Sequence, residues 1–285
     1  LDSLASVPLG YEIDKERILQ SEKAVSGKSF REGLKEVAKC IQGIPTKQDI
    51  ESALPKSSIL TDIIPADILD EKGFTTSIID AQKNSHSIDF YMVLKWYWWY
   101  LCVHYLSPML SIICQEHFFT IKDLIPCCVH NPFVPLGREI IFAKGLYYFF
   151  KRDLVTSSYL LIPQLENSCR NILYGKEKIT KSYSDGRQLY RTEMIWLLNT
   201  LLEQNRITNK IHFNLKILLC DDYFNIRNNL AHGLLSGNSL TEVTNSTAVI
   251  LISLYFILLA IRPYFTTKLL QHKKKRQKLN KIISL

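Results

Sequence analysis

The sequence predicts an all-α fold: a helical bundle preceded by an additional N-terminal helical region. Apolar residues recur at helical spacing, as at Leu160, Leu161, Leu165, Cys169, Ile172 and Leu173, which form one stripe. Start and stop signals bracket such stretches, with Thr46 to Asp49 and the Ser239, Glu242 pair in capping positions and Gly175 at a helix end. The second half then reads as successive helices joined by short loops, the pattern of a bundle.

In chain order, residues 1–87 form the N-terminal region, where amphipathic stretches are broken at Gly27, at Gly43-Ile44-Pro45 and at Pro65. The polar stretch from Gly73 to Ser87 reads as a linker or exposed loop and sets a boundary. Residues 88–270 are the bundle. It opens on an aromatic-rich helix from Ile88 to Tyr105, broken at Pro108 and continued to about Thr120. Trp96, Tyr97, Trp98, Trp99 and Tyr100 read as core or dimer-interface residues, because a run apolar on every side is usually buried; stacking on RNA bases is the sharper alternative. Further helices are predicted at Gly137 to Phe150, Asp153 to Tyr174, Gly186 to Gln204, Asn209 to Cys220, a short motif helix from Ile226, and Leu240 to about Leu270. Within the last, Ala248 to Ile261 is apolar apart from Ser253 and shorter than the roughly 20 residues that span a bilayer. It reads as a core or dimer helix, and stable membrane insertion is not expected.

Residues 271–285 form a basic tail. Arg262, Lys268, Lys273, Lys274, Lys275, Arg276, Lys278 and Lys281 stand in an end segment without acids, and they match the whole net charge of +8. Lys273, Lys274, Lys275, Arg276 and Lys278 are the candidate RNA-binding cluster; an anionic membrane surface or a solvated helix end would suit the same charges. A chain of 285 residues with 47% hydrophobic content is long enough for a large core and is expected to be globular. No charged-then-apolar signal peptide is seen at Leu1, and seven cysteines, an odd number, favour a reducing, cytoplasmic setting. Cys102 with His104, Cys114 with His117, and Cys127 and Cys128 with His130 resemble zinc-ligand spacing only loosely, so buried structural cysteines are the preferred reading and no metal or other cofactor is expected. Phosphate-binding GxxxxGK[ST], GxGxxG, GxSxG and HExxH patterns are absent from the sequence, as are internal repeats.

The stretch Arg227-Asn228-Asn229-Leu230-Ala231-His232-Gly233 carries the chemistry. An imidazole can move protons near neutral pH, and a guanidinium can hold a phosphate and its developing charge. Together they suffice for RNA cleavage without metal, with Asn228 as a neutral donor. Asn225 is placed as the N-cap of their helix. Five residues of helix turn a side chain's direction by roughly 140°, so Arg227 and His232 share a cleft only where the helix is distorted near Gly233 or the cleft wraps around it. Glu166 and Arg170, one turn apart, predict an intrahelical ion pair; facing the motif helix, Glu166 would orient His232 or Arg227.

The RNxxxHG pattern from Arg227 to Gly233 resembles a family of unknown-function domains in the HEPN superfamily. Asn131-Pro-Phe-Val-Pro-Leu-Gly-Arg-Glu139, Ala143-Lys-Gly-Leu-Tyr147 and Leu160 to Arg170 are similar to that family's preceding helices, so the resemblance covers about half the chain, from roughly Asn131 to Ile261. It implies an all-α HEPN-like bundle and a homodimer with a composite active site. Arg227 and His232 would be the catalytic pair, Asn228 the polar residue after the arginine, and Glu166 and Arg170 the supporting pair. The implied activity is a metal-independent endoribonuclease, in a toxin or antiviral-defence setting, under a regulatory protein partner. A non-catalytic RNA-binding or protein-interaction scaffold is the competing reading, because a fold alone licenses no reaction.

Overall fold

The computed structural model describes residues 13–54, 66–69, 75–79, 87–174, 194–221, 223–234 and 249–261. They are mainly helical, as the sequence predicts. In the N-terminal region, α1 (Lys15–Val25), α2 (Phe30–Lys39) and α3 (Lys47–Ala53) are separated by a loop at Gly27 and a 3-10 turn at Cys40–Gly43. Each starts on a side-chain cap: Asp14 accepts from Arg17 N, Ser29 shares a capping box with Glu32, and Thr46 shares one with Asp49.

One exception to the helical class falls where a linker was expected. Thr75–Ile79 is strand β2, paired antiparallel with β1 (Ala66–Leu69) in the register Ala66 to Ile79 and Ile68 to Ser77. Thr75, Thr76, Ile78 and Ile79 are β-branched, which favours extended backbone over the helix found elsewhere.

Helix α4 (Ile88–Leu101) runs through a π-helical turn at Cys102–Leu106 directly into α5 (Ser107–Glu116). The expected break at Pro108 is therefore a change of helical pitch. Pro108 lacks an N–H for the His104 carbonyl, and the Ser21 hydroxyl of α1 donates to that carbonyl instead, at 2.7 Å between buried groups. Helix α5 ends at Glu116, not near Thr120. Thr120 starts an unforeseen helix, α6 (Ile121–Cys128), which contains Pro126. Helix α7 (Glu139–Phe150) follows, packed between α6 and α8 (Leu154–Leu161). The span predicted as one helix from Asp153 to Tyr174 is divided by a 3-10 turn at Ile162–Gln164, where Pro163 removes a donor, and resumes as α9 (Leu165–Tyr174). Gly145 lets α7 and α8 approach closely: a Cβ there would strike Leu161, and the Gly145 carbonyl accepts from the Ser157 hydroxyl at 2.9 Å.

The remaining described helices are α10 (Met194–Glu203), α11 (Asn209–Cys220), α12 (Ile226–Ala231) and α13 (residues 249–261). Nearly every side chain of α13 is buried, including Tyr255, whose hydroxyl donates to the Val37 carbonyl of α2 at 3.0 Å. Of the core and dimer readings of this segment, the structure shows a core helix within one chain. Buried side chains of α1–α3 join the same apolar cluster as those of α4–α13. Among the described residues, no helix is long and apolar enough to cross a membrane. Gly175, Gly186, the Ser239 and Glu242 pair and the basic tail with Lys273, Lys274, Lys275, Arg276 and Lys278 lie outside the described residues.

Candidate functional site

The motif helix α12 is set by what comes before and after it. Asn225 occupies the N-cap position, as predicted, but in the left-handed region at φ 36, and its side chain does not cap; its carbonyl accepts from Asn228 N and Asn229 N. The side chain that ties this start is Asn229, donating through Nδ2 to the Phe224 carbonyl at 2.9 Å. At the other end, Gly233 takes φ 67, with Gly233 N bonded to Leu230 O and Leu234 N to Asn229 O. This pairing is a Schellman closure, which wants a residue free to adopt positive φ after the helix and accounts for the glycine of the motif. Ile226 and Leu230 are buried and fasten the inner face.

Arg227 leaves this helix toward α9. Its Nη1 donates to Glu166 Oε2, and Glu166 Oε1 accepts from Arg170 Nη2, so one carboxylate joins two guanidinium groups. The Arg227 Nε and Nη2 both donate to Asn228 Oδ1, at 3.3 and 3.1 Å, which points Asn228's amide nitrogen away from the arginine. Side-chain exposures of 28% for Arg227, 22% for Glu166 and 19% for Arg170 make the cluster half-buried and reachable by solvent. Beyond these bonds to described residues, each terminal nitrogen of Arg227 retains an N–H. Such a cluster suits a phosphate.

His232 is placed differently. It is the exposed C-cap of α12, and its side chain makes no hydrogen bond to another described residue. The structure thus brings together Arg227, Asn228, Glu166 and Arg170, and His232 is hydrogen-bonded to none of them. Glu166 orients Arg227, one of the two partners foreseen for it, and not His232.

Near this cluster, burial pushes the Cys169 thiol up to about 12 and the Cys220 thiol up to about 11, with Glu166 adding to both and Arg227 opposing at Cys220. Neither is a reactive thiolate near neutral pH. In the Cys and His stretch weighed for zinc, His104 places Nδ1 at 3.0 Å from the Tyr100 carbonyl and Nε2 at 3.0 Å from Asp14 N, while His117 Nε2 lies 3.0 Å from the Lys28 carbonyl. Among the described residues, no group of three or more His, Cys, Asp or Glu side chains is placed to hold a metal ion. Of the aromatic run, Tyr97, Trp98 and Trp99 are buried, and Trp98 Nε1 donates to Asn214 Oδ1 at 2.8 Å. Trp96 and Tyr100 are half-buried and stacked on each other.

Two contacts around the site escape sequence reasoning. Tyr91 of α4 donates to Asp221 Oδ2 at 2.8 Å, and Asp221 Oδ1 accepts from Tyr223 N at 3.0 Å. The second is an Asx-turn, for which an Asp two residues before a turn amide is a local signal; the first has none. No protein-family model, curated protein or solved structure matches this chain.

Proposed function

We propose that the chain is a metal-independent endoribonuclease of HEPN type, acting in the cytoplasm on RNA as a homodimer with a composite active site. The observation that carries this reading is the half-buried cluster in which Glu166 and Asn228 hold the Arg227 guanidinium beside Arg170. In the reaction, a base takes the proton of a ribose 2′-hydroxyl, the freed oxygen attacks the adjacent phosphorus, and the 5′-oxygen leaves with a proton. The products carry a 2′,3′-cyclic phosphate and a 5′-hydroxyl. His232 is assigned the proton transfer, Arg227 the phosphate charge and Asn228 a neutral hydrogen bond through its amide nitrogen. Because no hydrogen bond joins His232 to Arg227 within one chain, a second copy is proposed to bring the two residue types to one phosphate. The basic tail is proposed as an RNA tether, and a toxin or antiviral-defence setting under a regulatory partner remains part of the same proposal.

One observation favours a second reading, a non-catalytic scaffold. Arg227 links α12 to α9 through Glu166, and Asn229 and Gly233 close the two ends of α12, so these motif residues each have a structural task. His232 separates the readings, since its exposed side chain has no described partner to lose. On the enzyme reading, His232→Ala abolishes cleavage of a mixed RNA pool in EDTA, while its unfolding free energy stays within the range of neutral surface changes, about 0.5 kcal/mol. Cleavage that persists in the variant removes His232 from the chemistry, and absence of cleavage by folded wild type favours the scaffold.

A further inference from the structure

Helix α12 has only six residues, too few to fix its own direction by intrahelical bonds. Its direction nevertheless decides where Arg227 and His232 go. The approach to it passes through Asn225 at φ 36, a conformation that a non-glycine residue holds only when its surroundings enforce it. One source of enforcement lies on α4.

Tyr91, which is buried, grips the segment in two ways. Its hydroxyl donates to Asp221, whose other oxygen closes the turn at Tyr223 N. Its ring stacks on Tyr223 with centroids 4.4 Å apart and planes 3° from parallel. Phe224 meets Tyr91 edge-on at 6.0 Å and Trp98 of the same helix at 5.1 Å. One turn beyond Tyr91, the Lys95 ammonium lies 5.7 Å from the Tyr223 ring centre. Asp221, Tyr223 and Phe224 are thus clamped to α4 shortly before the left-handed step into α12. Asn229 carries the clamp forward, since it bonds to the carbonyl of the clamped Phe224.

We propose that Tyr91 and Asp221 are positioning residues, which fix the angle of α12 and so aim Arg227 and His232; the catalytic half of this inference rests on the ribonuclease reading. Neither side chain touches the reacting atoms. Their contribution is to hold a short helix in the one orientation that presents its arginine to Glu166 on one side and its histidine to solvent on the other.

Tyr91→Phe keeps the ring stack and deletes only the hydroxyl; Asp221→Asn keeps an acceptor for Tyr223 N and weakens the bond to Tyr91. Both variants and wild type would be compared by amide hydrogen exchange, melting temperature and RNA cleavage kinetics. The expected result is faster exchange confined to the amides of residues 226–232, with α7 unchanged as an internal reference. A fall in kcat of roughly tenfold to a hundredfold with KM held is expected alongside it, the size that misplacement of about 1 Å produces. Unchanged exchange in α12 would overturn the clamp. Faster exchange with an unchanged kcat, or a loss confined to KM or to global stability, would overturn the positioning role. Should folded wild type cleave no RNA, the ribonuclease reading and the aiming role fall together, and the exchange result alone then decides whether the clamp on α12 stands.

Discussion

Glu166 is the residue on which two arginines converge, and neutralising it is the most informative single change outside the motif. Glu166→Gln leaves Arg170 and Arg227 side by side without their shared charge. The cluster is partly solvated, which screens the loss, so the expected destabilisation is about 1–2 kcal/mol, read from denaturant unfolding and smaller at high salt. Cleavage should also fall, because Arg227 loses its orienting partner. The Glu166 to Arg170 pair was legible in the sequence, since residues four apart on a helix are neighbours by construction. Its extension to Arg227 spans 61 positions and had no local signal. The same limit explains Asn225 and Asn229: residue type marked a helix start, but which asparagine side chain would tie it depends on a left-handed backbone that composition does not encode.

Helix starts were readable wherever the cap is local, as at Thr46 with Asp49. Breaks were harder, because a proline ends a helix only when nothing else satisfies the carbonyl it leaves bare. At Pro108 the missing donor comes from Ser21, far away in sequence, and the helix continues through a π turn. Ser21→Ala would leave the buried His104 carbonyl unpaired, and the expected loss is about 1–3 kcal/mol, measurable as a lowered unfolding midpoint. If the midpoint does not move, another group has replaced the hydroxyl. The hairpin Ala66–Leu69 with Thr75–Ile79 is hard to read for a related reason: a strand depends on its pairing partner, and the polar residues around Thr75–Ile79 carry the local signature of a loop.

At the scale of the whole molecule, two of the described histidines, His104 and His212, couple stability to acidity. His104 is fully buried against α1, bonded at both ring nitrogens, and faced by Asp14, Arg17, Trp99 and Tyr100. Burial lowers its pKa below the ordinary 6.5 and Arg17 helps, while the Tyr100 carbonyl and Asp14 oppose. His212, bonded to Asn199, is lowered by burial and then by Lys216. Both are neutral rings in the native state that the unfolded chain would protonate near 6.5, so their contribution is complete above about pH 6.5 and is lost as pH falls from there through the lowered native values. Thermal melts from about pH 7.5 to about pH 5 should show a falling midpoint, flattened in His104→Gln. Lowered carboxylates such as Glu36 act in a separate window below about pH 4.5. Composition foretold a globular helical body, but not which distant segments would meet. The bond from Tyr255 to the Val37 carbonyl joins residues 218 positions apart. A ribosome delivers α2 long before α13, so the first helices wait through the intervening synthesis for the partner that seals them. On the ribonuclease reading, the cell's RNA is thereby spared a finished enzyme until α13 has been made, and an arrested nascent chain ending before residue 249 carries the motif without the core that supports it.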